Sequence, residues 1–215
     1  ASNTFFGLDL SASKLTWISL PPLPVALSHA VATAQFNGKS TCIYVIGGRT
    51  KTVSGISDLH NTVYYYDPSA GEWKEGEKIQ NGKNITNISA ATGVQFGKHQ
   101  ILLIGGDNGK IFHEIESLNA AIASAGPQSK KALEEQKNRL LENHPGFSKD
   151  ILVYNTFKNS WKKLNGLPGL APVTTTAVMW NGAIIVPSGE VKPGKRSPAI
   201  WRGEVLQGNK KPGAL

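Results

Sequence analysis

The chain has 215 residues, with 23 glycines and 12 prolines spread along it, and a formal net charge of +8. This length permits one large domain or two small ones with a substantial core, and scattered Gly and Pro mark a turn-rich globular chain rather than a disordered tract. The positive charge suits an anionic ligand or surface, but the basic residues form no run interleaved with aromatics, which argues against nucleic acid, and no apolar run approaches a membrane span.

The first segment, Ala1-Ser2-Asn3-Thr4, shows no basic stretch followed by an apolar one, so no signal peptide is visible; a leader removed earlier would leave the same start. Phe6-Gly7-Leu8-Asp9-Leu10 then precedes Thr16-Trp17, and residues 1–20 are predicted to be two outer strands of a sheet. Phe36-Asn37-Gly38 leads through an apolar strand to Val45-Ile46-Gly47-Gly48. Cys42 lies inside that strand and is the chain's single cysteine, so no internal disulfide or CxxC metal site is possible, and it reads as a buried thiol. Tyr64-Tyr65-Tyr66-Asp67-Pro68 precedes Glu72-Trp73, closing a unit over 21–80.

The same order returns over 81–168. Phe96-Gly97-Lys98 leads to Leu103-Ile104-Gly105-Gly106, and Leu152-Val153-Tyr154-Asn155 precedes Ser160-Trp161. Between these halves lies a segment of different composition. Glu114 to Ala125 and Ser129 to His144 are predicted helices, separated by Gly126-Pro127 and ended by Pro145-Gly146. Leu133, Gln136, Leu140 and Leu141 share one face of the second, and Glu135 with Arg139 is a favourable i,i+4 pair. The insertion, about 113–145, fits either a wall for a site or a structural cap. A third Gly-turn hairpin, Trp180-Asn181-Gly182 to Val186-Pro187-Ser188-Gly189, opens a partial unit over 169–206, with a last strand ending near Val205 and a tail over 207–215.

Each full unit has two hairpins, one ending in a Gly pair and one carrying an aromatic or apolar residue seven positions before a Trp: Leu10–Trp17, Tyr66–Trp73 and Tyr154–Trp161. Units of this kind resemble kelch repeats, each of which is one four-stranded propeller blade. The fold class expected is therefore all-β, a kelch-type β-propeller with a helical insertion. About three and a half blades are present, fewer than a closed ring of this type needs, so the remainder of a propeller or a second chain is expected to close it. A closed four-bladed ring completed by residues 4–20 stays open at this point.

The loop after Ala183-Ile184-Ile185-Val186 is Ser188-Gly189-Glu190-Val191-Lys192-Pro193-Gly194-Lys195-Arg196. It sets a carboxylate and several cations on a rigid turn, a common construction for a site. Ordinary turn chemistry, with Glu190 paired to Lys192 at the surface, is the competing account. The loop resembles the Gly-Glu-x-Lys-Pro-Gly-x-Arg loop of the bacterial kelch-type N-acetylneuraminate mutarotases, also called sialic acid epimerases. Gly105-Gly106-Asp107-Asn108-Gly109-Lys110-Ile111-Phe112 is similar to that family's Gly-Gly loop, which is also followed by a helical insertion.

The resemblance implies a six-bladed ring, of which this chain is the C-terminal half in the cyclically permuted branch of the family. It also implies interconversion of the α and β anomers of N-acetylneuraminate by general acid–base catalysis, in a periplasmic or otherwise extracytoplasmic setting, with no cofactor and no metal. In that account Glu190 is the acid and base and Arg196 the carboxylate clamp. Asn108, Lys192, Arg49 and Phe112 are substrate-binding candidates. A solvated surface cation is an equal account of Arg49 and of Lys192. Gly105 to Lys110 is not a P-loop, since Ile111 replaces Ser/Thr and no helix is signalled there. His29, His60, His99, His113 and His144 show no metal-ligand spacing; His29 and His113 fit either the axis or a structural role. A non-catalytic kelch module that binds a glycan or a protein is the alternative function, and the orientation of Glu190 separates the two.

Overall fold

The computed structural model describes residues 1–204; the expected strand end near Val205 and the tail over 207–215 lie outside the described residues. Strands β1 (Phe5–Leu8) and β2 (Trp17–Leu20) form a two-stranded hairpin. The first blade joins β3 (Val31–Phe36), β4 (Thr41–Ile46), β7 (Val63–Asp67) and β8 (Glu72–Glu75), all antiparallel. The second joins β11 (Thr92–Phe96), β12 (Gln100–Ile104), β13 (Ile151–Asn155) and β14 (Ser160–Leu164). The third has three strands among the described residues, β15 (Val178–Trp180), β16 (Ala183–Val186) and β19 (Trp201–Gly203). The first strands of adjacent blades are neighbours: β3 lies beside β11, and β11 beside β15.

The strand alternation explains the core. In β12, Ile101 and Leu103 face the first blade, while Leu102 and Ile104 face the third. In β13, Leu152 and Tyr154 face the first blade and Val153 the third. A blade buried on both faces must be apolar at successive positions, which is why Gln100–Ile104 reads as a continuous run rather than an alternating one. Each fully buried Leu, Ile or Val contributes about 1.5–3 kcal/mol relative to exposure.

Trp73 and Trp161 are half-buried. Trp161 lies 4.9 Å from the Tyr154 ring, and its Nε1–H donates to Glu77 O at the exit of the first blade (3.0 Å). Trp73 repeats the arrangement on Tyr66 and donates to Pro21 O at 2.8 Å. The polar ring edge holds the neighbouring linker while the outer face meets solvent. Trp17 remains 66% exposed.

Hairpin β1–β2 lies against the first blade, with Phe5 5.0 Å from the Tyr66 ring. It pairs with no strand of the third blade among the described residues. Among the described residues the blades therefore form an open arc, without the closed four-bladed arrangement. Both flanks expose apolar surface: Trp17 and Ile18 on β2, and Val178, Met179 and Trp180 on β15.

Each blade sends one excursion from the same end, between its second and third strands. In the first it is hairpin β5 (Arg49–Lys51) and β6 (Ser57–Leu59), and in the third hairpin β17 (Gly189–Lys192) and β18 (Lys195–Ser197). In the second it is helices α1 (Lys110–Ser124) and α2 (Pro127–Glu142). The remaining short hairpin, β9 (Gln80–Asn81) and β10 (Asn84–Ile85), belongs to the linker between the first two blades. Neither helix is long and apolar enough to cross a membrane.

Helix α1 begins at Lys110, where the sequence signals none. Asp107 Oδ1 accepts the Gly109 N–H (2.7 Å) and Asn108 Oδ1 the Lys110 N–H (3.1 Å), so two side chains serve the first free amides. Pro127 is not a separator but the first residue of α2, where its missing N–H costs nothing.

Candidate active site

Three positions recur around the inner end of the arc. Arg49 follows Gly47-Gly48, Asp107 follows Gly105-Gly106, and Glu190 follows Ser188-Gly189. Each pairs through its backbone with the linker that enters its blade: Arg49 with Ser28, Asp107 with Ser89, and Glu190 with Val173. The next linker residues, His29, Ala90 and Thr174, all have left-handed backbone, with φ of 55°, 57° and 52°. Ala90 N–H donates to His29 O (2.9 Å) and Thr174 N–H to Ala90 O (3.3 Å), which ties the three blades together around the axis. Glycine before these positions is needed for close approach. At Gly189 a Cβ would stand 2.7 Å from Pro172 Cβ and 2.8 Å from Val173 O; at Gly48, φ is 97° and a Cβ would lie 2.9 Å from Ser28 O.

One charged side chain per blade thus enters a shared cavity of about 290 Å³. The excursions complete its wall with Leu59, Phe112, Ile115, His144, Phe147 and Pro193. Helix α1 is held over the first blade by Ser57. Its N–H and Oγ donate to the two oxygens of Glu116 (both 2.7 Å), and its carbonyl accepts from His113 Nε2–H at 2.7 Å. The insertion is a wall of the cavity, and His113 is a clamp on that wall rather than an axial group.

Within the cavity, the Arg49 guanidinium lies 4.4 Å from the Phe112 ring centroid and forms no ion pair among the described residues. Burial first, and the Arg49 charge second, lower the pKa of His29. Glu190 Oε1 accepts the Gly194 N–H at 2.6 Å, which fixes the carboxylate on its own hairpin and leaves its second oxygen without a partner among the described residues. His144 is 3% exposed, and its Nδ1 accepts the Gly146 N–H at 3.1 Å. Burial lowers its pKa, the Asp107 carboxylate opposes that shift, and Lys192 adds to it. The ring is therefore neutral near pH 7, with its proton on Nε2.

The structure brings Glu190, Arg49 and Phe112 into one cavity. It leaves Asn108, Lys192 and Arg196 outside the cavity wall. Asn108 is exposed at the start of α1. Arg196 stands across the β17–β18 ladder from Glu190 but is exposed, and Lys192 pairs with Lys195 at the hairpin end. Sequence reasoning missed Asp107, Ser89 and His144. Asp107 was findable, because it follows its Gly pair as Arg49 and Glu190 follow theirs. Ser89 and His144 carry no such marker. The arrangement offers two carboxylates, one guanidinium and two imidazoles around a partly apolar space, which suits proton transfer on an anionic polar ligand.

Radially arranged four-stranded antiparallel blades, with a site built from the excursions at one end, define a β-propeller protein. In agreement, a solved structure titled "Structure of YjhT" matches with a TM-score of 0.79 at 20% identity, over 97% of this chain and 57% of that one. The family model described as N-acetylneuraminate epimerase matches residues 1–211, and the chain belongs to that family. The N-acetylneuraminate epimerase of Salmonella typhimurium is 26% identical over 203 residues, covering 94% of this chain and 50% of the relative. That of Yersinia enterocolitica is 27% identical over 214 residues, covering 95% and 50%. The chain spans about half the length of these curated relatives.

Proposed function

We propose that this cavity is a mutarotase site that interconverts the α and β anomers of N-acetylneuraminate or a related sialic acid. The observation that carries this is the joint placement of Glu190 and Arg49 in one cavity. In the reaction the anomeric O–H is deprotonated as the ring C–O bond breaks, giving a ketone and a protonated ring oxygen. Rotation and closure on the other carbonyl face give the second anomer, with no net change in protons or electrons. Glu190 takes the anomeric proton and delivers it to the departing ring oxygen as the C–O bond breaks, and the same two transfers run in reverse on closure, assistance of about 10²–10⁴-fold. Arg49 matches the sugar carboxylate with a bidentate fork. Arg196, opposite Glu190 on the hairpin, is exposed and supplies positive charge beside it. The cavity-facing carboxylate favours chemistry over a purely binding module.

The exposed apolar flanks, together with the half-length match, support closure into a six-bladed kelch ring by further blades of the same polypeptide or by a second chain. A periplasmic or otherwise extracytoplasmic setting is part of the same proposal and rests on the family resemblance. The test follows anomer exchange of freshly dissolved α-anomer by proton NMR. The chain is expected to accelerate it, and Glu190→Gln to abolish most of the acceleration while calorimetry still detects sugar binding. The amide retains the acceptor for Gly194 N–H, so the hairpin survives. Full activity in Glu190→Gln would remove Glu190 from the mechanism and favour the binding-module account.

A further inference from the structure

One corner of the cavity contains groups that the anomeric chemistry leaves unused. Ser89 is 3% exposed, belongs to the cavity wall, and has a buried Oγ with no hydrogen-bond partner among the described residues. A buried hydroxyl without a hydrogen-bond partner is unfavourable, and a ligand donor would satisfy it. Its backbone is paired with Asp107 by two hydrogen bonds of 2.9 and 2.8 Å, and Ser89, Asp107 and His144 all line the same cavity. His144 also belongs to the wall, and its Nε2–H has no partner among the described residues. The Phe147 ring lies 5.3 Å from the imidazole and gives the corner an apolar face.

A hydrogen-bond donor, a hydroxyl and an aromatic face together match a secondary amide that ends in a small apolar group. A sugar hydroxyl can accept from the imidazole and donate to the serine, but it brings no methyl to the ring. We propose that this corner is an N-acyl subsite: the acyl carbonyl accepts from His144 Nε2–H, the amide N–H donates to Ser89 Oγ, and the methyl packs on Phe147. The proposal rests on the sialic acid assignment above and adds the feature that selects among acidic sugars.

The test uses the 215-residue chain and three probes: N-acetylneuraminate, its analogue with a hydroxyl replacing the acetamido group, and a neutral N-acetylhexosamine. Calorimetry gives affinities, and saturation-transfer NMR reports contact at the acetyl methyl. N-acetylneuraminate is expected to bind about tenfold or more tightly than the hydroxyl analogue. Ser89→Ala and His144→Phe should each bring that ratio toward one, and His144→Gln, which keeps a donor, should restore part of it. Ser89→Ala should leave the Tm unchanged or raise it, because it removes an unpaired hydroxyl; a purely structural role predicts a fall. Equal binding of both acids by the unmodified chain, or an unchanged ratio in Ser89→Ala, overturns the subsite and leaves the sialic acid assignment standing. Ser89-dependent binding of the N-acetylhexosamine alone keeps the subsite and sinks that assignment. Binding of none of the probes overturns both.

Discussion

Asn159 offers a sharp test of how the first two blades are joined. It has φ of 50°, and its Oδ1 accepts from both Tyr154 OH and Glu77 N–H, each at 2.6 Å. Asn159→Ala removes both acceptor contacts and puts Ala in left-handed backbone, which costs about 1 kcal/mol. Glu77 is exposed and its N–H turns to water. Tyr154 is 1% exposed, and its hydroxyl, left unpaired, costs about 1–3 kcal/mol more. The expected loss is about 2–4 kcal/mol, toward the lower end where water enters at the exposed Asn159 position. Urea unfolding followed by Trp fluorescence is a suitable assay, since Trp161 stacks on Tyr154. In a Tyr154→Phe background the same substitution should cost only the backbone part, about 1 kcal/mol. An equal loss in both backgrounds would refute the junction account.

Arg49→Lys should weaken N-acetylneuraminate binding in calorimetry while the fold is kept, because an ammonium replaces the fork with a point charge. Asp150 gives an acid limb to stability: burial alone would raise its carboxyl, but Lys163 at 2.8 Å and Asn81 hold it below its ordinary value. That contribution is complete above about pH 4 and is lost as pH falls through the lowered folded pKa, so Asp150→Asn should flatten the acid side of a stability–pH curve. Cys42 is fully buried, and burial raises its pKa. A thiol reagent should modify it slowly in the native chain and rapidly in denaturant, as mass spectrometry would show.

The blades were legible in the residues because their signals are local. A Gly pair after an apolar strand and an aromatic residue seven positions before a Trp each describe one hairpin, and a hairpin is decided by neighbours in the chain. The insertion was legible as helical, but its start at Lys110 depends on side-chain capping by Asp107 and Asn108, and Pro127 reads equally as a break or a first turn. Glu190, Arg49 and Phe112 were legible as candidates that line one cavity because each lies in an excursion that follows a Gly pair or a Ser-Gly. Which of the cations face the ligand space was not accessible. Arg196 and Glu190 share a ladder, yet only Glu190 enters the cavity, because the exposure of a hairpin side chain depends on what packs beneath it. Ser89 and His144 lie 55 positions apart in a linker and beyond a helix end. Their meeting depends on the angle between blades and the path of α2, which arise from the burial of β12 and β13 on both faces. The His144 tautomer is decided by one backbone N–H, that of Gly146, and no residue pattern encodes the direction in which that N–H points.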